Sequence, residues 1–150
     1  MNKKRLLKLA DLLDADAKNK KGIKFDLNQW ARPASSEVQF TEDEGVPVDC
    51  GTAACAVGLA CISGAFKRSG FYYRLCYCEG PSRLHVVPTF NGKEDMDAVD
   101  EFFDISCAES NHLFQAHSYP KTKQKGALGE RAVAKRIRDF SAGKSAPALD

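Results

Sequence analysis

Thr52-Ala53-Ala54-Cys55-Ala56-Val57-Gly58-Leu59-Ala60-Cys61-Ile62 contains the longest apolar run of the chain, residues 53–62. Because this segment is apolar nearly all round, it predicts a helix that other elements enclose at the centre of the fold. The Thr52 hydroxyl is expected to cap the helix, and Ser63-Gly64 to end it. The small residues within the segment leave little side-chain bulk, so neighbouring elements are expected to approach its backbone closely.

Four further segments have the spacing of apolar residues that is typical of amphipathic helices. One of them opens with Ser106-Cys107-Ala108-Glu109, which has the form of a capping box. The predicted helices are Asn2 to about Ala17, Asp95 to Phe103, a short helix after Ser106 that contains Leu113 and Phe114, and Leu128 to Phe140. Residues 1–141 are expected to form a single globular domain, followed by a flexible C-terminal tail at 142–150.

Two β-prone runs complete the predicted elements. The aromatic run Phe71 to Cys78 is followed, after Glu79-Gly80-Pro81-Ser82, by Leu84 to Val87, which predicts a short β-hairpin. A two-stranded ribbon is marginal alone and must pack on helices. The sequence therefore predicts a mainly helical α+β fold, with about five helices around a buried central helix and one short β-hairpin.

The composition is that of an ordinary globular protein, with 150 residues of which 43% are hydrophobic and 28% charged. No stretch approaches the roughly 20 apolar residues that a membrane helix needs, and charges interrupt the apolar residues near the start, so neither a membrane partner nor secretion is expected. Six cysteines in such a chain indicate reduced thiols and a cytoplasmic location. No cofactor is expected.

Charge is distributed unevenly along the chain. Residues 1–24 carry a net +5, residues 25–120 a net −8 and residues 121–144 a net +6. The basic ends could attract nucleic acid, with Tyr119 available for stacking, or could pair with the acidic body, and we rank the second interpretation first. The predicted basic surface consists of Lys121, Lys123, Lys125, Arg131, Lys135, Arg136 and Arg138.

Four groups of residues resemble the motifs of a family. They are Phe25-x-Leu27-x-x-Trp30, Cys50-Gly51-Thr52-x-x-Cys55-x-x-Gly58-x-Ala60, Phe102-Phe103-x-Ile105-Ser106 leading to Leu113-Phe114, and Val133-Ala134-x-Arg136-Ile137. From Phe25 to Phe140 the chain is similar to uncharacterised small phage and bacterial proteins that carry a Cys-Gly-Thr-x-x-Cys-x-x-Gly motif. Where those relatives often have an aromatic residue or histidine, this chain has Leu59. The resemblance implies a phage or mobile-element setting and no catalytic residues. If the gene is carried by a phage, the expected location is the host cytoplasm.

Cys50 is the candidate nucleophile of an alternative function. If it precedes a helix, the helix dipole can stabilise its thiolate. With His85 on a following strand and Asn91 to orient the imidazole, the order resembles that of papain-like or NlpC-type cysteine hydrolases. The competing interpretation is that Cys50 and Cys55 pack as small hydrophobic residues.

A zinc site is a weaker hypothesis, because the spacing of the cysteines and histidines does not match that of zinc ligands. Cys76 and Cys78 point to opposite faces of a strand, and His112 and His117 are poorly placed for one helical face. The residues considered as ligands are Cys50, Cys55, Cys76, Cys78, His85, His112 and His117. The sequence therefore predicts no metal.

Three hypotheses for function result from the sequence. The first is a non-enzymatic phage or mobile-element accessory protein that binds a host or phage protein and so interferes with host defence or physiology. The second is a cysteine-dependent hydrolase that uses Cys50 and His85. The third is a nucleic-acid-associated protein that uses the C-terminal basic helix.

Overall fold

The computed structural model describes residues 1–35, 44–77 and 84–144. In these ranges the chain is α+β, with five α-helices and two three-stranded sheets. The helices are α1 (Lys3–Lys18), α2 (Ala56–Ile62), α3 (Asp95–Phe103), α4 (Cys107–Phe114) and α5 (Gly126–Ser141), and the strands are β1 (Lys24–Phe25), β2 (Ala31–Pro33), β3 (Thr52–Ala54), β4 (Tyr72–Tyr77), β5 (Leu84–Phe90) and β6 (Lys93–Glu94). None of the helices in the described ranges has the length and apolar character needed to cross a membrane.

Helices α1 and α5 pack against each other and form the most extensive contact between any two elements. The buried stripe of α1 consists of Leu6, Leu9, Ala10 and Leu13, as helical spacing requires. On α5 the buried side chains include the predicted Val133, Ile137 and Phe140. The two helices therefore form where the sequence places them, although α5 begins at Gly126, two residues earlier than predicted. The last part of the predicted tail, residues 145–150, lies outside the described residues.

The prediction that a helix begins at Thr52 is wrong. Residues 52–54 form β3, the middle strand of the first sheet, which is parallel to β1 and antiparallel to β2. Thr52 caps no helix, since its hydroxyl donates to the carbonyl of Pro47 at 2.6 Å. Helix α2 starts only after Cys55, whose sulfur accepts from the backbone N–H of Gly58 at 3.3 Å. All seven residues of α2 are buried, but the helix is shorter than the predicted one.

Gly58 lies on α2 where the chain leading into β2 crosses it. A Cβ atom placed on Gly58 would lie 1.4 Å from the carbonyl oxygen of Trp30, so only glycine permits this approach. Trp30 itself is half-buried and packs against the edge of the core. The expected close approach to the α2 backbone is thus present, and a backbone carbonyl makes it.

The second sheet contains the predicted pair of strands and a third strand. Strands β4 and β5 are antiparallel, with Cys76 opposite His85, and β6 adds to the other edge of β5. Asn91 and Gly92 connect β5 to β6 with φ angles of 50° and 76°, as a two-residue type I′ turn requires. The prediction of a single hairpin is therefore not confirmed.

Helices α3 and α4 agree closely with the sequence. The buried face of α3 consists of Ala98, Val99, Phe102 and Phe103. The capping box of α4 is complete, because Ser106 and Glu109 each accept a hydrogen bond from the other's backbone N–H. The phenylalanines of α3 pack with those of neighbouring segments in edge-on, tilted and stacked contacts, involving Phe66, Phe71, Phe90 and Phe114.

Candidate functional site

Cys50 lies in an exposed turn before β3. Because α2 begins at Ala56, Cys50 is not at a helix N-terminus, and the reason for expecting an activated thiolate no longer applies. Its exposure is also inconsistent with the interpretation that it packs in the core. Cys50 lines a surface cleft, described below, that His85 does not line.

His85 and Asn91 do not form a site together. His85 is near the start of β5, opposite Cys76 in the second sheet, whereas Cys50 precedes a strand of the first. Asn91 follows the end of β5, so at about 3.3 Å per residue it lies about 20 Å from His85 along the strand. Its side-chain amide donates instead to Glu101 at 3.0 Å. Asn91 therefore serves the turn and does not orient the imidazole of His85.

Cys55 and Cys61 are core residues. Both are buried, and burial raises the pKa of Cys55 to about 11 and that of Cys61 well above its usual value. Both remain thiols at neutral pH, and Cys55 has a structural role as the cap of α2. Among the described residues, no group of three or more His, Cys, Asp or Glu side chains could hold a metal ion. Cys78 lies outside those residues.

A cleft of about 590 Å³ lies between the end of α1, the first sheet and the start of α5. We call it the α1/α5 cleft. Its lining includes seven ionisable side chains: Asp16, Lys20, Lys24, Asp26, Arg32, Lys125 and Glu130. Such a volume is typical of small-molecule sites.

Glu130 and Asp16 form a pair of acids in the wall of the α1/α5 cleft. Glu130 is 2% exposed. Its Oε1 and the Oδ2 of Asp16 are buried and, apart from the contact between the two carboxyl groups, have no hydrogen-bond partner among the described groups. Burial, a hydrogen bond with Asp16 and the negative charge of Asp16 together raise the pKa of Glu130 to about 9. Glu130 therefore holds a proton at neutral pH and can donate it in its hydrogen bond with Asp16.

Asp26 is the contrasting acid of the cleft. Burial acts to raise its pKa, but hydrogen bonds from Asn28 and the positive charge of Lys125 outweigh burial and hold the pKa below its usual value. The Asp26 carboxylate accepts from the backbone N–H and the side-chain amide of Asn28, both at 3.0 Å, and from Gln29 Nε2 at 3.3 Å. Gln29 Oε1 is buried and has no donor among the described residues. The cleft thus contains a protonated acid, Glu130, beside Asp16, an ionised acid, Asp26, and the unused carbonyl of Gln29.

The rim of the α1/α5 cleft is cationic. Lys20, Lys24, Arg32 and Lys125 are all exposed, and only Lys125 has a described salt bridge, 3.6 Å from Asp26. Helix α5 begins at this rim with no side-chain cap and no acidic residue in its first turn. The positive end of the helix dipole therefore adds to the charge of the rim.

Two arginines of the predicted basic surface hold the fold together. Arg136 donates to the carbonyls of His112 at 3.0 Å and Ser118 at 2.6 Å, and its guanidinium lies 3.7 Å from the centre of the Tyr119 ring. Tyr119 is only 5% exposed, so it cannot stack on a base. Arg138 pairs with Asp11 and Asp14 of α1.

The remaining predicted basic residues are exposed. Lys135 pairs with Asp139 at 2.6 Å, whereas Lys121, Lys123 and Arg131 have no salt bridge with the described residues. Among them Leu128 is 66% exposed. We call Lys121, Lys123, Lys125, Leu128, Arg131 and Lys135 the basic face.

Sequence reasoning missed the acid pair, although a signal for it exists. Glu130 is three and seven residues before Val133 and Ile137, so it lies on the apolar stripe of α5. Asp16 follows Leu13 by three residues on the stripe of α1. An acidic residue in line with a buried stripe is a sign of a carboxyl with an unusual environment.

Comparisons of the chain with protein-family models, with curated proteins and with solved structures find no match. The resemblance to phage and bacterial proteins therefore stays a prediction from the motifs.

Proposed function

We propose that the protein is a non-enzymatic accessory protein that binds an acidic protein partner through the basic face. The motif resemblance suggests that the partner is a host or phage protein and that binding interferes with host physiology or defence. The observation that carries the proposal is the exposure of Leu128, 66%, among cations of which three have no salt bridge to the described residues.

Leu128 and the cations around it match a particular type of partner surface. Burying a leucine side chain is worth about 1.5–3 kcal/mol, and protein interfaces typically surround apolar contacts with a polar rim. A partner with an apolar pocket bordered by Asp or Glu would contact Leu128 and the surrounding cations at the same time. Charge complementarity would also accelerate the encounter.

The same features favour a protein partner over nucleic acid. An exposed leucine gains nothing from phosphate contacts, which carry most of the affinity for nucleic acid. Arg136 and Arg138 already have partners within the chain, and the Tyr119 ring is buried. The proposal therefore assigns the basic face to an acidic protein surface.

The test is co-purification of the full chain with its partner, followed by affinity measurement with variants. Leu128→Ser should weaken binding by about tenfold, because a tenfold change corresponds to 1.4 kcal/mol, and Arg131→Glu should weaken it further. Matched controls away from the basic face are Val48→Ser, since Val48 is 41% exposed, and Arg68→Glu. Cys50→Ala should bind normally.

Two outcomes would overturn the proposal. If nuclease treatment abolishes binding while Leu128→Ser preserves it, the basic face binds nucleic acid. If the Leu128 and Arg131 variants bind the partner as tightly as their controls do, the partner uses another surface.

A further inference from the structure

The buried acid in the α1/α5 cleft is not explained by the stability of the fold. Glu130 lies on the packed side of α5 and is 2% exposed, where an apolar residue would contribute more to stability. Its neighbour across the helix contact is another acid, Asp16, and not a cation. Perturbed acids in clefts are frequently functional.

The inner part of the cleft offers acceptors for hydrogen bonds. Gln29 Oε1, Glu130 Oε1 and Asp16 Oδ2 all belong to lining residues and are buried without a donor among the described groups. The Glu130 proton satisfies one contact between the two carboxyl groups and leaves other lone pairs of these oxygens unused. Gln29 Oε1 accepts no hydrogen bond from the described residues. These oxygens are closed off from solvent, so a ligand that brings N–H groups would satisfy them once the side chains that cover them move aside.

The outer part of the same cleft is positively charged. Lys20, Lys24 and Arg32 have no salt bridge to the described residues, and the uncapped start of α5 adds partial positive charge. Arg32 can form paired hydrogen bonds with a carboxylate or phosphate. This part of the cleft is suited to an anion.

We propose that the α1/α5 cleft binds a small ligand that carries an anionic group, phosphate or carboxylate, and separate N–H groups. The anionic group contacts Arg32 and its neighbouring lysines, and the N–H groups donate to Gln29 and the acid pair. A volume of about 590 Å³ accommodates a mononucleotide or a dipeptide, the two sources of this chemistry. This site goes beyond the protein-binding function proposed for the basic face, with which it shares only Lys125.

The test is calorimetric titration of the full chain at pH 7 with three probes: guanosine monophosphate, alanylalanine and inorganic phosphate. One of the two larger probes is expected to bind at least about tenfold more tightly than phosphate, and which of them does so identifies the source. Arg32→Ala should weaken that probe by about tenfold, the effect of losing one hydrogen bond to a charged group. Arg68→Ala, which changes an exposed arginine outside the cleft, is the matched control.

Gln29→Met tests the contacts of the ligand's N–H groups independently of those of its anionic group. It should weaken the larger probe but leave phosphate binding unchanged, because phosphate brings no N–H group. The proposal is overturned if neither larger probe binds more tightly than phosphate, or if Arg32→Ala binds the preferred probe as tightly as Arg68→Ala does. Arg32 is exposed, so Arg32→Ala should fold. It therefore tests ligand binding in the cleft even if Gln29→Met does not fold.

Discussion

Replacing Glu130 by glutamine should make the protein more stable at neutral and alkaline pH. Folding raises the pKa of Glu130 from 4.5 to about 9, so between these values the folded protein binds one proton more than the unfolded chain. Below pH 4.5 the protonated Glu130 therefore makes its full contribution to the free energy of unfolding. This contribution falls by about 1.4 kcal/mol per pH unit as the pH rises toward 9. By pH 7 the loss reaches about 3 kcal/mol, a substantial part of a typical total of about 5–15 kcal/mol.

Glu130→Gln removes this proton uptake but keeps the hydrogen bond, since the amide can donate to Asp16 as the protonated carboxyl does. We expect the variant to exceed the wild type by about 3 kcal/mol at pH 7, by more at pH 8.5 and by little at pH 5. Urea unfolding followed by the fluorescence of Trp30, the single tryptophan, measures this difference at each pH. Asp97→Asn, a change at an exposed acid of α3, is the control.

Asp16→Asn gives an independent measurement of the same pair. It removes the negative charge of Asp16 and leaves burial as the main cause of the raised pKa of Glu130. The pH dependence of its unfolding free energy should therefore be intermediate between those of the wild type and Glu130→Gln. If the wild type and Glu130→Gln differ by the same free energy at pH 5, 7 and 8.5, then Glu130 does not hold a proton in the folded protein and our account of the acid pair is wrong.

Three further variants or reagents test other parts of the structure. Native-state alkylation followed by mass spectrometry should label Cys50 before the two buried cysteines of the α2 segment; equal rates would contradict their burial. Gly58→Ala places a methyl group against the Trp30 carbonyl and should destabilise the fold by at least about 3 kcal/mol in urea unfolding, so a stable variant would contradict that approach. Arg136→Ala should lower the unfolding free energy by about 2–3 kcal/mol, whereas Arg131→Ala should change it by less than about 0.5 kcal/mol; similar losses would show that Arg136 is a surface residue.

The elements that the sequence predicted well are those whose signal is local. Helix α3 has its apolar residues at helical spacing within nine residues, and α4 begins with a capping box whose two members are three residues apart. Such signals depend only on backbone geometry and near neighbours. The first and last residues of α1 were predicted to within one residue for the same reason.

The start of segment 52–62 was predicted incorrectly because its secondary structure depends on strands that are distant in the sequence. A short run of small apolar residues fits both a buried helix and a strand covered on both faces. Thr52–Ala54 is a strand because β1 and β2, which lie some 20–30 positions earlier, supply hydrogen bonds on both edges. The third strand of the second sheet had a local signal, the Asn91-Gly92 pair, which is typical of a hairpin turn.

The candidate site was less accessible to sequence reasoning. Cys50 attracted attention as a nucleophile only because a helix was expected directly after it. Asp16 and Glu130 belong to different ends of the chain, and nothing in the sequence indicates that they meet. Their position on apolar stripes marks each as unusual, but the pairing requires the packing of α1 on α5.

The packing of α1 on α5 also constrains how the protein can fold as it is synthesised. Arg138 pairs with Asp11, which is 127 positions earlier, and a ribosome adding about 5–20 residues per second needs about 6–25 s to cover that distance. During this time the apolar stripe of α1 lacks its main partner and is available to chaperones or to other nascent chains. The synthesis of α5 therefore ends that exposure, and a truncation before α5 should leave a chain that aggregates.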